Sequence, residues 1–309
     1  MKGEGKMNFD SFLSHIAIAK QYTAETQKAY RSDLEQFRDF MQDQGLTRIE
    51  QVDAATVNKY IQSMRNKNNP RYGRKGLSDA SIARRLAAVS SYFEFVRASG
   101  RSDLKNPMKN MPMKWRRNRE PKPVEEYTLD FLLSGVTNAR DRALFSVFLA
   151  SGLRLSEVHQ LNRDSIRVEQ EPDAMGKVRT VGRGEVVGKG NKRRFFFLTE
   201  KALLDLVTYL RERKDNNPAL FLSERKERMS KRAMQWTLDE LCRKAGFQHI
   251  NIHRLRHTYA TRLANAGIDS MILKDLMGHS SFATTQQYFK LTDKTIARGY
   301  FAAMESLPV

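Results

Sequence analysis

This sequence of 309 residues contains a single cysteine, Cys242, so no disulfide bond can form within the chain. The cysteine lies among helix-type apolar positions, beside Leu238 and Leu241, which favours a buried thiol kept reduced in the cytoplasm. The sequence also lacks a run of about 18 apolar residues that could cross a membrane, and its first residues do not resemble a signal peptide. We therefore expect a cytoplasmic protein with no membrane partner.

Acidic residues are a minority in the chain. Aspartate and glutamate together number 35, against 54 lysines and arginines, which gives a net charge of +19. A protein with this charge is expected to bind a polyanion, and the lack of a membrane-spanning run favours nucleic acid over an anionic membrane surface. The acidic residues form no clear cluster of the kind that holds magnesium in nucleases.

The motifs of two common phosphate and metal sites are incomplete. A nucleotide-binding P-loop around Lys189 would need glycine at position 183 and serine or threonine after the lysine, and the chain has neither. His253 and His257 have the i, i+4 spacing of helical metal ligands, but the metalloprotease glutamate is absent and arginines at positions 254 and 256 would repel a cation. The sequence therefore predicts neither a metal site nor a cofactor.

The first third of the chain has the apolar spacing of four amphipathic helices. Thr23 and Asp53 are suited to cap the second and third helices, and Gly45 and Gly100 to end the second and fourth. The apolar stripes are formed by Phe9, Phe12, Leu13, Ile16, Tyr30, Leu34, Phe37, Met41, Val57, Tyr60, Ile61, Met64, Ile82, Leu86, Val89, Phe93 and Val96. Residues 66–76 are predicted to form an exposed basic loop. These features together predict a small helical bundle.

Basic side chains outside the apolar stripes are candidates for DNA contact. Arg84 and Arg85 of the fourth helix suit either a solvated helix face or contacts with phosphates. Residues 106–123 combine four prolines, which forbid long helices, with a cluster of basic residues that could wrap DNA or act only as a soluble spacer. The candidates in that stretch are Lys114, Arg116, Arg117 and Arg119.

The composition break at the prolines predicts two domains. We place an N-terminal helical domain at residues 7–110, a basic linker at 111–124 and a second domain at 125–309. The second domain is predicted to be mainly helical with one small antiparallel sheet, its strands at 165–169, 185–188 and 193–198 and a turn at 189–192. Its helices are predicted at 143–151, 156–161, 199–210, 230–245, 252–267 and 269–277, with a last helix through Tyr288.

The second domain carries an unusual set of cationic residues and one tyrosine. Arg154 follows a glycine-ended helix, so it could pair with a nearby glutamate or point into a cleft. His253 and Arg256 are three residues apart on one helix face and could reach the same phosphate. His279 follows a glycine that should end a helix, and Tyr288 comes nine residues later, as either a packing residue or a nucleophile.

In the order and spacing of these pieces the sequence resembles the tyrosine recombinase family, also called phage-integrase-like recombinases. The matching segments are residues 152–157, 188–193, 253–261 and 276–288. Residues 23–30 and 81–86 also resemble the family's N-terminal core-binding domain, so the likeness extends over most of the chain. In layout it is most similar to Xer-type and other simple recombinases. The resemblance implies a four-helix, SAM-like core-binding domain followed by a mixed α/β catalytic domain.

The resemblance also implies a site for the scissile phosphate. Arg154 and Arg256 match the pair that clamps it, and arginine suits this role because its planar fork stays charged and donates parallel hydrogen bonds. His253 and His279 match residues that bind non-bridging oxygens or help move the proton of the nucleophile. The chemistry implied is DNA strand cleavage and rejoining without metal or ATP.

By the same resemblance, Tyr288 attacks phosphorus and forms a 3′-phosphotyrosyl intermediate, while Lys189 protonates the departing 5′ oxygen. Residues 169–185 depart from the family pattern, where relatives often have a short turn. The departure leaves the strand register open, and with it the choice of Lys189 over Lys192 or Lys177. Lys189 is preferred because it lies between two glycines at a predicted hairpin tip.

The partner implied is double-stranded DNA with inverted half-sites, bound by a dimer per site and a tetramer in the synapse, with the protein associated with the nucleoid. The apolar-striped segment at 292–304 would dock on a neighbouring protomer or close its own domain. Accessory proteins are not specified by the sequence. Two other functions remain open: a type IB topoisomerase, which would relax any supercoiled plasmid, and an inactive recombinase-like DNA-binding regulator.

Overall fold

The computed structural model describes residues 9–69, 74–100, 103–109, 123–172, 175–188 and 192–289, together with 300, 301, 304 and 305. The chain divides into two compact units, Met1–Arg119 and Glu120–Val309. Most of the linker predicted at 111–124 lies outside the described residues. Among the helices that are described, none is both long and apolar enough to cross a bilayer.

The N-terminal unit contains the four predicted helices. They are α1 (Asp10–Ala19), α2 (Ala24–Asp43), α3 (Ala54–Asn66) and α4 (Asp79–Ala98). The predicted caps are confirmed: the side chain of Thr23 accepts a hydrogen bond from the backbone N–H of Thr26, and Asp53 accepts one from Thr56 at 2.8 Å. Such caps satisfy N–H groups that have no partner within the helix, so the helix starts follow from local sequence.

The apolar stripes of these helices form one core. Phe12, Leu34, Phe37, Val57 and Phe93 are each at most 1% exposed within it. Burying side chains of this size contributes roughly 1.5–3 kcal/mol each relative to leaving them in water. Residues 66–76 were predicted to form a loop, but they contain a short antiparallel pair of strands, β1 (Asn68–Asn69) and β2 (Arg74–Lys75).

The C-terminal unit is mainly helical with one sheet, which confirms the predicted fold class. Its helices are α5 (Glu126–Ser134), α6 (Ala139–Ser151), α7 (Leu155–Gln160), α8 (Glu200–Glu212), α9 (Lys231–Lys244), α10 (Ile252–Asn265), α11 (Ser270–Met277) and α12 (Phe282–Gln286). Two boundaries differ from the sequence prediction. The cap residue of α7 is Arg154 rather than Ser156, and α12 ends before Tyr288, which lies in the following turn.

The sheet has the order β3 (Ile166–Pro172), β4 (Val178–Val187), β5 (Arg193–Leu198), all antiparallel. The prediction of a short strand at 185–188 was wrong, because β4 starts at Val178 and pairs with β3 through most of the segment that departs from the family pattern. The register is continuous from Ile166 opposite Gly184 to Pro172 opposite Val178. The segment is therefore a long hairpin rather than an irregular insertion.

Strand β5 alternates between buried and exposed residues. Arg194, Phe196 and Leu198 face the core, and the residues between them face solvent. Gly184 of β4 is paired with Phe196, and a Cβ at Gly184 would lie 2.3 Å from the Phe196 ring and 2.5 Å from the carbonyl oxygen of Ser165. The absence of a side chain at position 184 is what lets the phenylalanine ring lie across the strand.

We predict that Gly184→Ala lowers the stability of the protein by about 1–3 kcal/mol, since the added methyl must displace a fully packed ring. The measurement is thermal and urea unfolding of the full chain followed by circular dichroism. The matched control is Gly135→Ala, where the nearest atom to an added Cβ is 3.5 Å away, at ordinary contact distance. Equal unfolding midpoints for the two variants would contradict the packing argument.

Candidate active site

Two helices of the C-terminal unit end close together, each at a glycine in the left-handed conformation. Gly152 follows α6 with φ 59° and Gly278 follows α11 with φ 59°. The last carbonyl groups of a helix lack partners within it and carry partial negative charge. At Gly152 a side chain is also excluded by space, because a Cβ would lie 2.2 Å from the ring of Tyr259. The two helix ends therefore present a group of carbonyl oxygens to the same region.

Arg256 is held between these helix ends. It lies in the second turn of α10, which begins after Asn251, and it is 3% exposed. Its Nη1 donates to the carbonyl oxygen of Gly152 at 2.5 Å, and its Nη2 donates to that of Met277. A guanidinium has five N–H donors, and the remaining three have no partner among the described residues. Arg256 is thus fixed in place with donors left for an oxyanion.

Glu157 connects two further arginines to this region. It is 5% exposed, and its Oε1 accepts from Nη1 of Arg154 at 2.8 Å while its Oε2 accepts from Nη2 of Arg194 at 2.6 Å. Arg154 also donates to the carbonyl oxygen of Gly278 at 3.0 Å, and Arg194 donates to that of Leu276. The carboxylate and the end of α11 therefore hold both side chains beside Arg256.

This cluster carries more positive than negative charge. Three guanidinium groups share one carboxylate in the described part of the site, and burial together with the charges of Arg154 and Arg194 lowers the pKa of Arg256 to about 9. Beside it is a cleft of about 380 Å³ lined in part by Arg154, His253 and Arg256. An anion with several oxygen atoms, such as a phosphate, would neutralise the excess charge and use the free donors.

Two of the predicted histidines lie next to the arginines as neutral rings. Burial, and then the charges of Arg256 and Arg154, lower the pKa of both His253 and His279, the latter to about 4. The Nδ1 of His279 is 2.8 Å from Oγ1 of Thr285. If that nitrogen accepts the threonine hydroxyl, the proton of the ring is on Nε2, which can then donate to a substrate oxygen.

Tyr288 lies at the turn after α12 and is 6% exposed. Its hydroxyl is 2.6 Å from Nδ1 of His257, and its ring is nearly parallel to that of His279, at 6.4 Å between centroids. Burial raises the pKa of Tyr288 to about 12, and the charge of Arg256 opposes this shift in part. The tyrosine is therefore a protonated phenol, within electrostatic range of the arginine cluster.

The structure brings together five of the six predicted catalytic residues, which are Arg154, His253, Arg256, His279 and Tyr288. Lys189 lies outside the described residues. The adjoining Gly188 is next to the cluster, since a Cβ there would be 3.9 Å from Nη1 of Arg154. Lys177 precedes the far end of β4, roughly 30 Å away for a strand of this length, so the geometry favours Lys189 or Lys192 over Lys177.

The DNA-contact candidates of the N-terminal unit lie beside a buried carboxylate. Asp33 is 1% exposed and bonds to Nη1 of Arg84, with Nε of Arg85 at 3.7 Å. Arg85 is largely buried there, whereas half of the Arg84 side chain is exposed, so Arg84 has the better access to a phosphate. Lys114, Arg116, Arg117 and Arg119 lie outside the described residues.

Sequence reasoning missed three features of the site. Arg194 was not identified, although an arginine at an alternate, core-facing position of a strand is a signal that could have found it. Glu157 was considered only as a partner of Arg154, and it also holds Arg194. His257 was weighed as a metal ligand and as part of the basic run at 253–257, but not as a partner of Tyr288. The i, i+4 spacing that suggested a metal also places it on the same face of α10 as His253.

Comparison with known proteins gives two family matches. The model of the phage integrase family matches residues 124–295, and the model of the phage integrase N-terminal SAM-like domain matches residues 9–100. Among curated proteins, tyrosine recombinase XerC of Oceanobacillus iheyensis is 28% identical over 313 residues, covering 96% of this chain and 95% of the relative. XerC of Actinobacillus pleuropneumoniae serotype 7 is 30% identical over 301 residues, covering 94% and 92%.

Solved structures with the same fold include DNA complexes. The Tn1549 transposon integrase in complex with a circular intermediate DNA has a TM-score of 0.70 at 19% identity, covering 98% of this chain and 100% of that one. XerH bound to its difH substrate in a pre-cleavage complex has a TM-score of 0.66 at 18% identity, covering 94% and 83%. At these identities the likeness concerns the fold alone.

We predict that Glu157→Gln destabilises the protein by roughly 3–5 kcal/mol, because it leaves the buried guanidinium of Arg194 without its carboxylate. Urea unfolding of the full chain measures the change. The control is Glu240→Gln, which removes a carboxylate paired with the exposed Arg243 and should have little effect. If both variants unfold at the same urea concentration, Glu157 does not hold the cluster together.

Proposed function

The chain belongs to the phage integrase family, and on this premise we propose that it is a site-specific DNA recombinase of the Xer type, which cuts and rejoins strands through Tyr288. The two family matches confirm the resemblance to the tyrosine recombinases that the sequence motifs indicated. The proposal for the individual residues rests on one observation: a partly buried arginine cluster with excess positive charge lies beside a buried tyrosine.

We propose that the scissile phosphate occupies the cleft beside the cluster. Arg154 and Arg256 would each donate to its non-bridging oxygens, because both are already oriented by backbone carbonyls and keep N–H groups available. His253 and His279 would donate to the same oxygens as neutral rings. Because these groups are fixed before the substrate arrives, they need little rearrangement as negative charge develops in the transition state. Such a site lowers the reaction barrier by stabilising that charge.

In the proposed reaction the hydroxyl oxygen of Tyr288 attacks phosphorus. A bond forms between the phenolic oxygen and phosphorus, and the phenolic proton passes to a neutral base of the site. The bond to the 5′ oxygen of the next nucleotide breaks, and Lys189 gives the 5′ oxygen a proton. The products are a 3′-phosphotyrosyl protein and a free 5′ hydroxyl. The new phosphodiester keeps the energy of the bond that was broken, so a 5′ hydroxyl of either strand can reverse the step.

We further propose that the partner is duplex DNA with inverted half-sites. One protomer would bind each half-site, and two sites would meet in a tetramer joined by the C-terminal segments at 292–309. The exposed side chains of Tyr300, Phe301 and Met304 are consistent with docking on a neighbouring protomer, although they would suit closure of the same unit as well. Arg84 and the basic residues at 114–119 are proposed to contact the DNA backbone.

We predict that Tyr288→Phe still binds DNA but forms no covalent adduct. The substrate is the genomic site that the wild-type protein protects most strongly, prepared as a duplex with a nick beside the cleavage position. Loss of the hydroxyl removes the nucleophile while the arginine cluster remains, so binding by gel shift should be near normal. The adduct is measured as protein that stays attached to labelled DNA in denaturant.

An undiminished adduct in Tyr288→Phe would remove Tyr288 from this role and direct attention to Tyr259 and Tyr300. Relaxation of any supercoiled plasmid by the wild-type protein, without joining of two specific sites, would indicate a topoisomerase instead. Binding without any adduct in the wild-type protein would indicate a DNA-binding regulator.

We predict that a 5′-bridging phosphorothioate in place of the 5′ oxygen restores cleavage by Lys189→Ala far more than cleavage by Arg256→Ala. Sulfur is a good leaving group that needs little protonation, so it replaces the proton donor but not the phosphate-binding arginine. The restoration is measured as the ratio of single-turnover rates on the two substrates. If the phosphorothioate restores cleavage by Lys192→Ala and not by Lys189→Ala, the proton donor to the 5′ oxygen is Lys192.

A further inference from the structure

The hydroxyl of Tyr288 has one recorded partner among the described side chains, and it is a histidine that the proposed mechanism does not use. Nδ1 of His257 is 2.6 Å from the phenolic oxygen, and the two rings are tilted by 45° with centroids 5.7 Å apart. His257 follows Arg256 on α10, so the residue that touches the nucleophile adjoins one that is proposed to bind the phosphate.

The direction of this hydrogen bond follows from the state of the two groups. Burial, and then the charges of His253 and Arg256, lower the pKa of His257 to about 4, so at neutral pH its ring carries one proton. A proton on Nδ1 would leave the buried phenolic proton without an acceptor in the described part of the site. With the proton on Nε2, Nδ1 accepts the phenolic hydroxyl and both groups are satisfied.

The other two histidines of the site are placed differently. Nδ1 of His279 bonds to the hydroxyl of Thr285, and its ring lies parallel to that of Tyr288 instead of meeting its oxygen. His253 lines the cleft and meets His257 edge to face, with centroids 4.4 Å apart. Both are the histidines proposed to bind the phosphate, and neither forms a hydrogen bond with the hydroxyl of Tyr288 among the described contacts.

We infer that His257 is a further catalytic residue, whose Nδ1 aims the hydroxyl of Tyr288 and takes its proton as the oxygen bonds to phosphorus. The inference rests on the proposed function. A lone pair of the phenolic oxygen forms the bond to phosphorus, and the electron pair of the O–H bond stays on that oxygen as the proton moves to Nδ1. The bond from phosphorus to the 5′ oxygen breaks, and the 5′ oxygen leaves with a proton from Lys189. On rejoining, His257 returns its proton to the phenolic oxygen.

Bound DNA makes His257 a better base than it is in the free protein. Burial disfavours its protonation most, and the charge of Arg256 adds to this effect; a phosphodiester in the cleft would bring a negative charge beside Arg256 and offset that part. The phenol also becomes more acidic as its oxygen bonds to phosphorus. Proton transfer in concert with attack therefore avoids a free phenolate, whose formation burial of Tyr288 opposes.

The test compares His257→Ala and His257→Asn with the wild-type chain on the nicked duplex described above, by single-turnover adduct formation. Each is made with ordinary tyrosine and with a ring-fluorinated tyrosine at position 288, whose hydroxyl is more acidic. With ordinary tyrosine we expect adduct formation to slow by roughly 100-fold, a typical contribution of a general base. With fluorotyrosine the difference in rate between the wild-type chain and the His257 variants should become small, because a more acidic phenol depends less on a base to remove its proton.

The matched control is His159→Ala, which removes a half-buried histidine whose Nδ1 contacts the carbonyl oxygen of Met229 at 3.0 Å. It should form the adduct at the wild-type rate. Adduct formation by the His257 variants at the wild-type rate would overturn the inference. An equal decrease in rate with tyrosine and with fluorotyrosine would also overturn it, since that result indicates a packing role alone. If wild-type protein forms no adduct at Tyr288, it is the proposed function that fails, so the two failures are distinguishable.

Discussion

The site depends on guanidinium groups held against the carbonyl ends of two helices. The end of α6 supplies the carbonyl oxygen of Gly152, and the end of α11 supplies those of Leu276, Met277 and Gly278. Both helices stop at left-handed glycines, and at Gly278 a Cβ would lie 2.7 Å from Cδ of Arg194. The helix ends therefore need glycine both for the backbone turn and for the close approach of the arginines.

Gathering the arginines in this way carries an electrostatic cost in the free protein. The lowered pKa of Arg256 and of Arg194 shows that burial and mutual repulsion disfavour their charged forms, even with Glu157 between Arg154 and Arg194. A phosphate bound there, as proposed, would relieve that repulsion, so part of its binding free energy would come from repulsion already present in the free site. A departure from the usual rule that buried charges are balanced is expected at a functional site.

The sequence was sufficient for features set by near neighbours. Helix caps such as Thr23 and Asp53, and the glycine stops at Gly152 and Gly278, depend on residues within one turn and were predicted. The length of β4 was not predicted, because its first four residues have no buried side chain and pair with β3 but not with β5. The contacts of Arg194 with Leu276 and of His257 with Tyr288 join residues 82 and 31 positions apart, and no local pattern specifies them.

Tyr288, the candidate nucleophile, and the arginines proposed to bind the phosphate are positioned by the same two helices. Helix α10 carries Arg256 and His257 as adjacent residues, so a single turn of this helix contacts both the end of α11 and the hydroxyl of Tyr288. Met277, whose carbonyl oxygen holds Arg256, packs its own side chain in one apolar cluster with Tyr259 and Tyr288. A shift of α11 would therefore move the arginines and the tyrosine together. In the proposed reaction, cleavage and rejoining would run through the same atoms in opposite directions, and a shared support would keep the geometry of the site equal for both.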